Sequence, residues 1–127
     1  MLPYTWLYKV LYKERWCPIG EYAKQFKKGI LEIIILKLLS KKEMYGYQIV
    51  SEMEERGNVF NLREGTLYPI LYRLEDDGMI ESRWEQSGSR NVPRKYYAIT
   101  PSGKDLLKEA TEQWLEFAYT VEKVLKD

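Results

Sequence analysis

Arg90, Arg94 and Lys95 fall within six residues of one another, and a little earlier Thr66, Tyr68, Tyr72 and Arg73 supply three hydroxyls and a further cation. Side chains of these kinds suit the recognition of a polyanion. Guanidinium and ammonium groups pair with phosphate, and hydroxyls reach phosphate oxygens or base edges. Covalent chemistry has no comparable set. The chain has no histidine, no G-x-S-x-G turn, no Walker loop and no G-x-G-x-x-G after a strand, and its carboxylates fall on helix surfaces beside lysines. General acid–base catalysis is left without a pair, so an enzyme is the weakest hypothesis. Cys17 is the lone cysteine, which excludes an intramolecular disulfide and leaves the common His/Cys zinc sites short of ligands. No metal and no cofactor are expected.

The groups that would meet a polyanion need a rigid frame, and the pattern from Gly65 to Thr100 supplies one. Leu67, Ile70, Leu71 and Leu74 form one helical stripe, leaving Gly65, Thr66, Pro69, Tyr72 and Arg73 toward the other side. An interior proline costs about 3 kcal/mol whereas the first turn tolerates it, so Pro69 draws the helix start close to Gly65 and Thr66, with Thr66 a candidate cap. Asp77-Gly78 turns the chain into Ile80, Ser82 and Trp84, and Tyr97 and Ile99 alternate with Tyr96, Ala98 and Thr100 after a polar loop. A recognition helix followed by a two-stranded wing is a way of gripping duplex DNA. The helix would enter the major groove near its N-terminus, with Arg90, Arg94 and Lys95 meeting phosphates or the minor groove. Plainer roles compete: Tyr68 and Tyr72 as partly buried core aromatics, and Arg73 as the partner of Asp76 or Asp77.

Upstream, Gly29 to Ser40 is apolar on nearly every side, which implies a helix buried against its own domain and against something else, most simply a partner subunit. Tyr45 to Arg56 reads as an ordinary second helix, with Ile49 and Met53 one turn apart and Gly57 placed to end it. Thr100-Pro101 is a helix start, a cap followed by proline. Beyond it Leu107, Ala110, Trp114, Phe117, Val121 and Val124 are spaced three, four, three, four, three, a heptad seam that favours helix pairing. At about two and a half heptads it is too short to pair alone and should act with Gly29 to Ser40. The fold class expected is mainly α with a small β-wing (α+β). The divisions are an N-terminal arm or extra helix over 1–28, a winged helix-turn-helix domain over 29–100 and a C-terminal dimerisation helix over 101–127.

Net charge is balanced at +1, which argues against coating nucleic acid or membrane by bulk electrostatics. The distribution is uneven. Residues 1–28 carry six positive and two negative charges and 83–95 carry four against one, while 41–82 carry five against nine. A DNA-binding surface would be a stripe drawn from the wing and the N-terminal arm; a solvated surface is the plain alternative for each run. For 1–28, with its Tyr/Trp side chains between Tyr4 and Trp16, three roles fit: an arm on a partner subunit, a loose segment, or an upstream start with no function. The longest apolar run, Ile30 to Leu39, is broken by Glu32 and Lys37 and falls short of the roughly 20 residues of a membrane span. The N-terminus does not read as a signal peptide. A cytoplasmic location and no membrane contact are expected.

Three blocks, GILEIIILKLLSKKEMYGYQIVSEM, GTLYPILYRLEDDGMIESRW and RKYYAITPSG, resemble the PadR family of bacterial transcriptional regulators, in its branch with a single short C-terminal helix. The resemblance runs from about Gly29 to the end. It implies a homodimeric repressor on a pseudo-palindromic double-stranded DNA operator, with the C-terminal helices as the dimer interface. Tyr45 and Tyr47, Thr66, Tyr68 and Pro69, Arg73, and Arg94, Lys95 and Tyr97 sit on the family's motif positions and are carried over as DNA-binding. Arg63 departs from the pattern, standing where relatives often have a small polar cap, and residues 1–28 extend beyond the usual start. Some members of the branch are similar to multidrug sensors that hold flat aromatic ligands between tryptophans at the dimer interface. Trp114 occupies the matching part of the last helix, either lining such a cavity for an aromatic small-molecule effector or filling a coiled-coil core. The rival to a DNA-binding regulator is a dimeric winged-helix module that serves a protein partner.

Overall fold

The apolar run expected as a helix from Gly29 continues backwards for ten residues, so that α1, the first helix among the described residues, spans Ile19–Lys41. The computed structural model describes residues 19–57, 60–86 and 92–127, with side chains from residue 29 onward. The expected roles of residues 1–18 and of Arg90 therefore lie outside the described residues. Within α1, Leu31, Ile35, Leu36, Leu38 and Leu39 are buried, a wide stripe that already finds cover inside one chain.

A two-residue strand, β1 (Met44–Tyr45), follows, then helix α2 (Gly46–Glu55). Tyr45, expected as the first residue of that helix, is instead its extended N-cap, because its backbone pairs with Tyr96 across the sheet. Gln48 Oε1 accepts from the Tyr45 N–H at 3.1 Å, tying the cap back to the first turn. Gly46, Ile49, Val50 and Met53 face the core at helical spacing. Gly57 ends the helix with φ of 115°, a conformation that favours glycine.

Helix α3 runs Glu64–Asp76 and buries Leu67, Leu71 and Leu74. The expected cap, Thr66, lies inside the helix. The N-cap is Arg63, whose carbonyl accepts from Thr66 N–H at 3.0 Å and Leu67 N–H at 2.9 Å, and no side chain caps the turn. Pro69 is consequently interior, and its missing N–H leaves the Gly65 carbonyl without a helical partner. Both residues are exposed, so water can serve that carbonyl. At the far end Met79 N–H bonds the Leu74 carbonyl at 2.9 Å and Gly78, at φ of 77°, bonds Glu75 at 3.0 Å, a Schellman stop.

Strands β2 (Ile80–Glu85) and β3 (Arg94–Ile99) form the wing, and β3 also pairs with β1, giving a three-stranded antiparallel sheet in the order β1-β3-β2. The third strand was not expected from the sequence. Ile80 stands opposite Ile99, Ser82 opposite Tyr97 and Trp84 opposite Lys95, all on the face toward α3; Arg83 opposite Tyr96 and Glu85 opposite Arg94 lie on the other face. The expected cap at Thr100 is present: its hydroxyl accepts from Gly103 N–H at 3.1 Å and donates to the Gly78 carbonyl at 2.6 Å. Helix α4 (Pro101–Leu125) then packs back on α1. Gly103 makes its entry possible, since a Cβ there would collide with the Met79 carbonyl. Among the described residues, four helices around a small sheet make a winged helix-turn-helix with an appended helix.

Candidate nucleic-acid interface

The outer surface of α3 is set by its register. With Leu67, Leu71 and Leu74 turned inward, Gly65, Pro69 and Tyr72 are left on the solvent side. Among the described residues nothing lies within 4 Å of a Cβ built on Gly65, so its small size serves no contact with them. The two flanks of the helix differ. Tyr68 faces α2, and the exposed Tyr72 ring, 6.1 Å from that of Tyr68, lies on the side of the sheet. Tyr68 is half-buried with its hydroxyl against Gly46, and desolvation, followed by the charge of Glu64, raises its pKa. Arg73 lies on the opposite flank and forms an ion pair with Glu32 of α1, so neither Asp76 nor Asp77 is its partner. Its position over α1 rather than the outer surface explains the choice.

The wing adds two clusters, one on each face of the sheet. Toward α3, Lys95 Nζ sits 3.7 Å from Glu75, 5.5 Å from the Tyr97 ring centroid and 5.8 Å from those of both Tyr72 and Trp84. Glu75 also accepts from the Ser82 hydroxyl. Trp84, not selected from the sequence, is 67% exposed and walls this cluster on the wing side. On the other face the Arg94 guanidinium lies 4.4 Å over Tyr45, Tyr45 meets Tyr96 edge-on at 5.5 Å, and Arg83 lies 5.2 Å over Tyr96. Arg83 is also forked onto Glu43 and Glu85, and the hydrogen bonds from Arg83 hold the Glu43 carboxyl below the usual carboxylate range.

One residue carried over as a contact is corrected. Tyr97 is 1% exposed and belongs to the core, on the inner face of β3; burial first, then the neighbouring Tyr72 and Glu75, pushes its pKa up to about 12. It lies beneath Lys95, whose Nζ sits over its ring. Tyr45 and Lys95 are half-buried, Arg94 is partly exposed, and Tyr47, Thr66 and Tyr72 are exposed, so these remain available at the surface. Trp84 is legible in the sequence only as an alternating strand residue and Arg83 only as part of the basic run 83–95, and Glu32 offers no signal of its pairing with Arg73.

On α4 the heptad seam divides. Leu107 is half-buried against the core of its own chain and Ala110 is half-buried. Trp114, Phe117, Val121 and Val124 are exposed, with the Trp114 and Phe117 rings 6.1 Å apart. Among the described residues no helix is long and apolar enough to cross a membrane.

A family model described as the transcriptional regulator PadR-like family matches residues 35–109. The chain is 34% identical over 99 residues to the negative transcriptional regulator PadR of Bacillus subtilis, covering 77% of this chain but only 52% of that protein. It thus spans about half the length of that regulator. Among solved structures, a PadR family transcriptional regulator from Eggerthella lenta superposes with a TM-score of 0.72 at 31% identity, covering 84% of this chain and 91% of that one. A PadR-like transcriptional regulator from Bacillus cereus gives a TM-score of 0.71 at 36% identity, over 81% and 98% of the two chains. A matched family model over more than half its length, joined to the winged helix-turn-helix fold, establishes that this chain belongs to the PadR-like family of transcriptional regulators.

Proposed function

We propose that the chain is a homodimeric repressor that binds a pseudo-palindromic operator through α3 and the wing. The observation that carries this is the outer face of α3, where Gly65, Pro69 and Tyr72 point to solvent beside the cations of β3. Thr66, Tyr72 and Tyr47 are the exposed hydroxyls of this surface, and Arg94 and Lys95 its cations. The exposed Trp114, Phe117, Val121 and Val124 on α4 support pairing of two chains, with recognition helices roughly 34 Å apart, one helical turn of DNA.

Anisotropy of the protein on DNA from directly upstream of its own gene, beside a scrambled duplex at two salt concentrations, tests the reading. Tight binding to the upstream DNA alone, persisting as salt rises, is expected. Equal, salt-labile binding to both favours a winged module that serves a protein partner.

Relief of repression by a planar aromatic effector is a further part of the proposal, resting on the outward-facing Trp114 and Phe117 pair. Such a ligand would act by preferring one angle between paired α4 helices over another. In a variant retaining Trp114 as its sole tryptophan, planar cationic dyes should quench emission at about micromolar concentration. No quenching across a varied panel would remove the effector.

A further inference from the structure

Three cations around α3 and the wing are engaged by carboxylates of the same chain. Arg73 pairs with Glu32, Lys95 lies near Glu75, and Arg83 is held between Glu43 and Glu85. Arg83 is the most completely engaged. Its Nη2 donates to Glu43 Oε1 at 2.7 Å, its Nε donates to Glu43 Oε2 at 3.2 Å, and its Nη1 donates to Glu85 Oε2 at 2.5 Å. All three side chains stay about half exposed, at 50%, 46% and 44%.

Exposed ion pairs of this kind add little to stability, so stability alone does not account for two acids on one arginine. The fork on Glu43 is, however, the geometry in which a guanidinium binds a phosphate. Two residues along the same sheet face, Arg94 stacks on Tyr45 and has no carboxylate partner among the described residues. One face of the wing therefore carries an open guanidinium and a closed one.

We propose that Arg83 is a DNA-backbone contact held closed in the free protein by Glu43 and Glu85, whose oxygens occupy the places of phosphate oxygens. The inference rests on the DNA-binding reading above. Binding exchanges carboxylate for phosphate at Arg83, so the two acids set how strongly the wing grips DNA of any sequence. A regulator with a net charge of +1 is thereby kept from a strong grip on DNA at large.

The test measures anisotropy on the upstream and scrambled duplexes across a salt series. It compares the wild type, Glu43→Gln with Glu85→Gln, Arg83→Gln, and all three substitutions together, each checked for a wild-type melting temperature. The double glutamine variant should bind both duplexes about three- to tenfold tighter, and Arg83→Gln alone should flatten the wild-type salt slope by about 0.9, the loss of one phosphate contact. The gain should be equal on the two duplexes, because phosphates carry no sequence information. It should vanish when Arg83→Gln is added. A gain that persists without Arg83 is the general effect of removing two negative charges and overturns the proposal. So does no gain, or a gain confined to the upstream duplex. If neither the wild type nor any variant binds either duplex, the DNA-binding reading falls and the latch with it.

Discussion

The helix-turn-helix core and α4 are built from similar amphipathic sequence and end in opposite states. Ile35, Ile49, Leu67 and Leu71 are fully withdrawn from solvent, whereas the only buried residue of α4 is Gly103, and Phe117 and Val124 remain 62% and 70% exposed. Burying an apolar side chain of this size stabilises by about 1.5–3 kcal/mol relative to leaving it exposed. The core collects that stabilisation within one chain; the distal part of α4 does not. The two regions meet at Thr100 and Gly103, where α4 is hydrogen-bonded and wedged onto the turn that ends α3.

The contrast is broken most strongly inside the core. Leu71→Ala should lower stability by about 3 kcal/mol, read from the urea midpoint, because the cavity adds to the lost transfer energy. Phe117→Ala should leave the midpoint at the lowest protein concentration unchanged and instead abolish its rise with concentration, the mark of a second chain covering α4. If Phe117→Ala shifts the midpoint as far as Leu71→Ala at every concentration, α4 already packs within its own chain and the contrast disappears.

Gly103→Ala attacks the joint. The added Cβ would meet the backbone carbonyl of Met79 and then the Ile99 side chain, and a backbone atom cannot rotate aside. A loss of about 2 kcal/mol in thermal or urea unfolding is expected, the usual scale of overpacking. Wild-type stability in this variant would show that α4 has room to shift along the turn.

Tyr97 sharpens the comparison through pH. Its phenol titrates near 10 when unfolded and is pushed up to about 12 in the fold. The folded state keeps a proton that the unfolded chain releases, so this contribution is fully present below pH 10 and is lost as pH rises toward 12. Up to about 2 kcal/mol should disappear across that window. Tyr97→Phe should flatten that part of the stability profile; an identical alkaline fall in the variant would assign the effect elsewhere, with Tyr68 the next group to test.

Much of this was written plainly in the sequence, and the exceptions have physical causes. The leucine stripe of α3, the Thr100-Pro101 start and the wing alternation are local patterns, and each formed as expected. The strand at Met44–Tyr45 is too short to carry periodicity and exists because β3 offers it an edge. Tyr97 sits in the same run as the surface residues Arg94 and Lys95, yet strand alternation together with the partner strand sends its ring into the core. Arg73 and Arg83 found acids distant in sequence, on α1 and before β1, which spacing along the chain does not reveal. Arg63, by contrast, was legible as an unusual cap and does stand at the N-cap of α3 with no capping side chain.

The smallest expected effect isolates the hydroxyl that joins the two regions. Thr100 makes two hydrogen bonds with one oxygen, accepting from Gly103 N–H and donating to the carbonyl of Gly78. Thr100→Ala removes both, leaving a part-buried helix amide and an exposed turn carbonyl without their partner, and should cost about 1 kcal/mol. For a domain of this size that is a fall in melting temperature of about 4 °C. Thr100→Ser keeps the oxygen and loses only the methyl group, so it should recover most of the loss. Amide exchange should quicken at Gly103 and Lys104 in the alanine variant while the amides of Leu71 and Leu74 keep their protection, because the damage is confined to the entry of α4. Equal loss in the alanine and serine variants would assign the effect to the methyl group, and the joint would then be held by packing rather than by the hydroxyl.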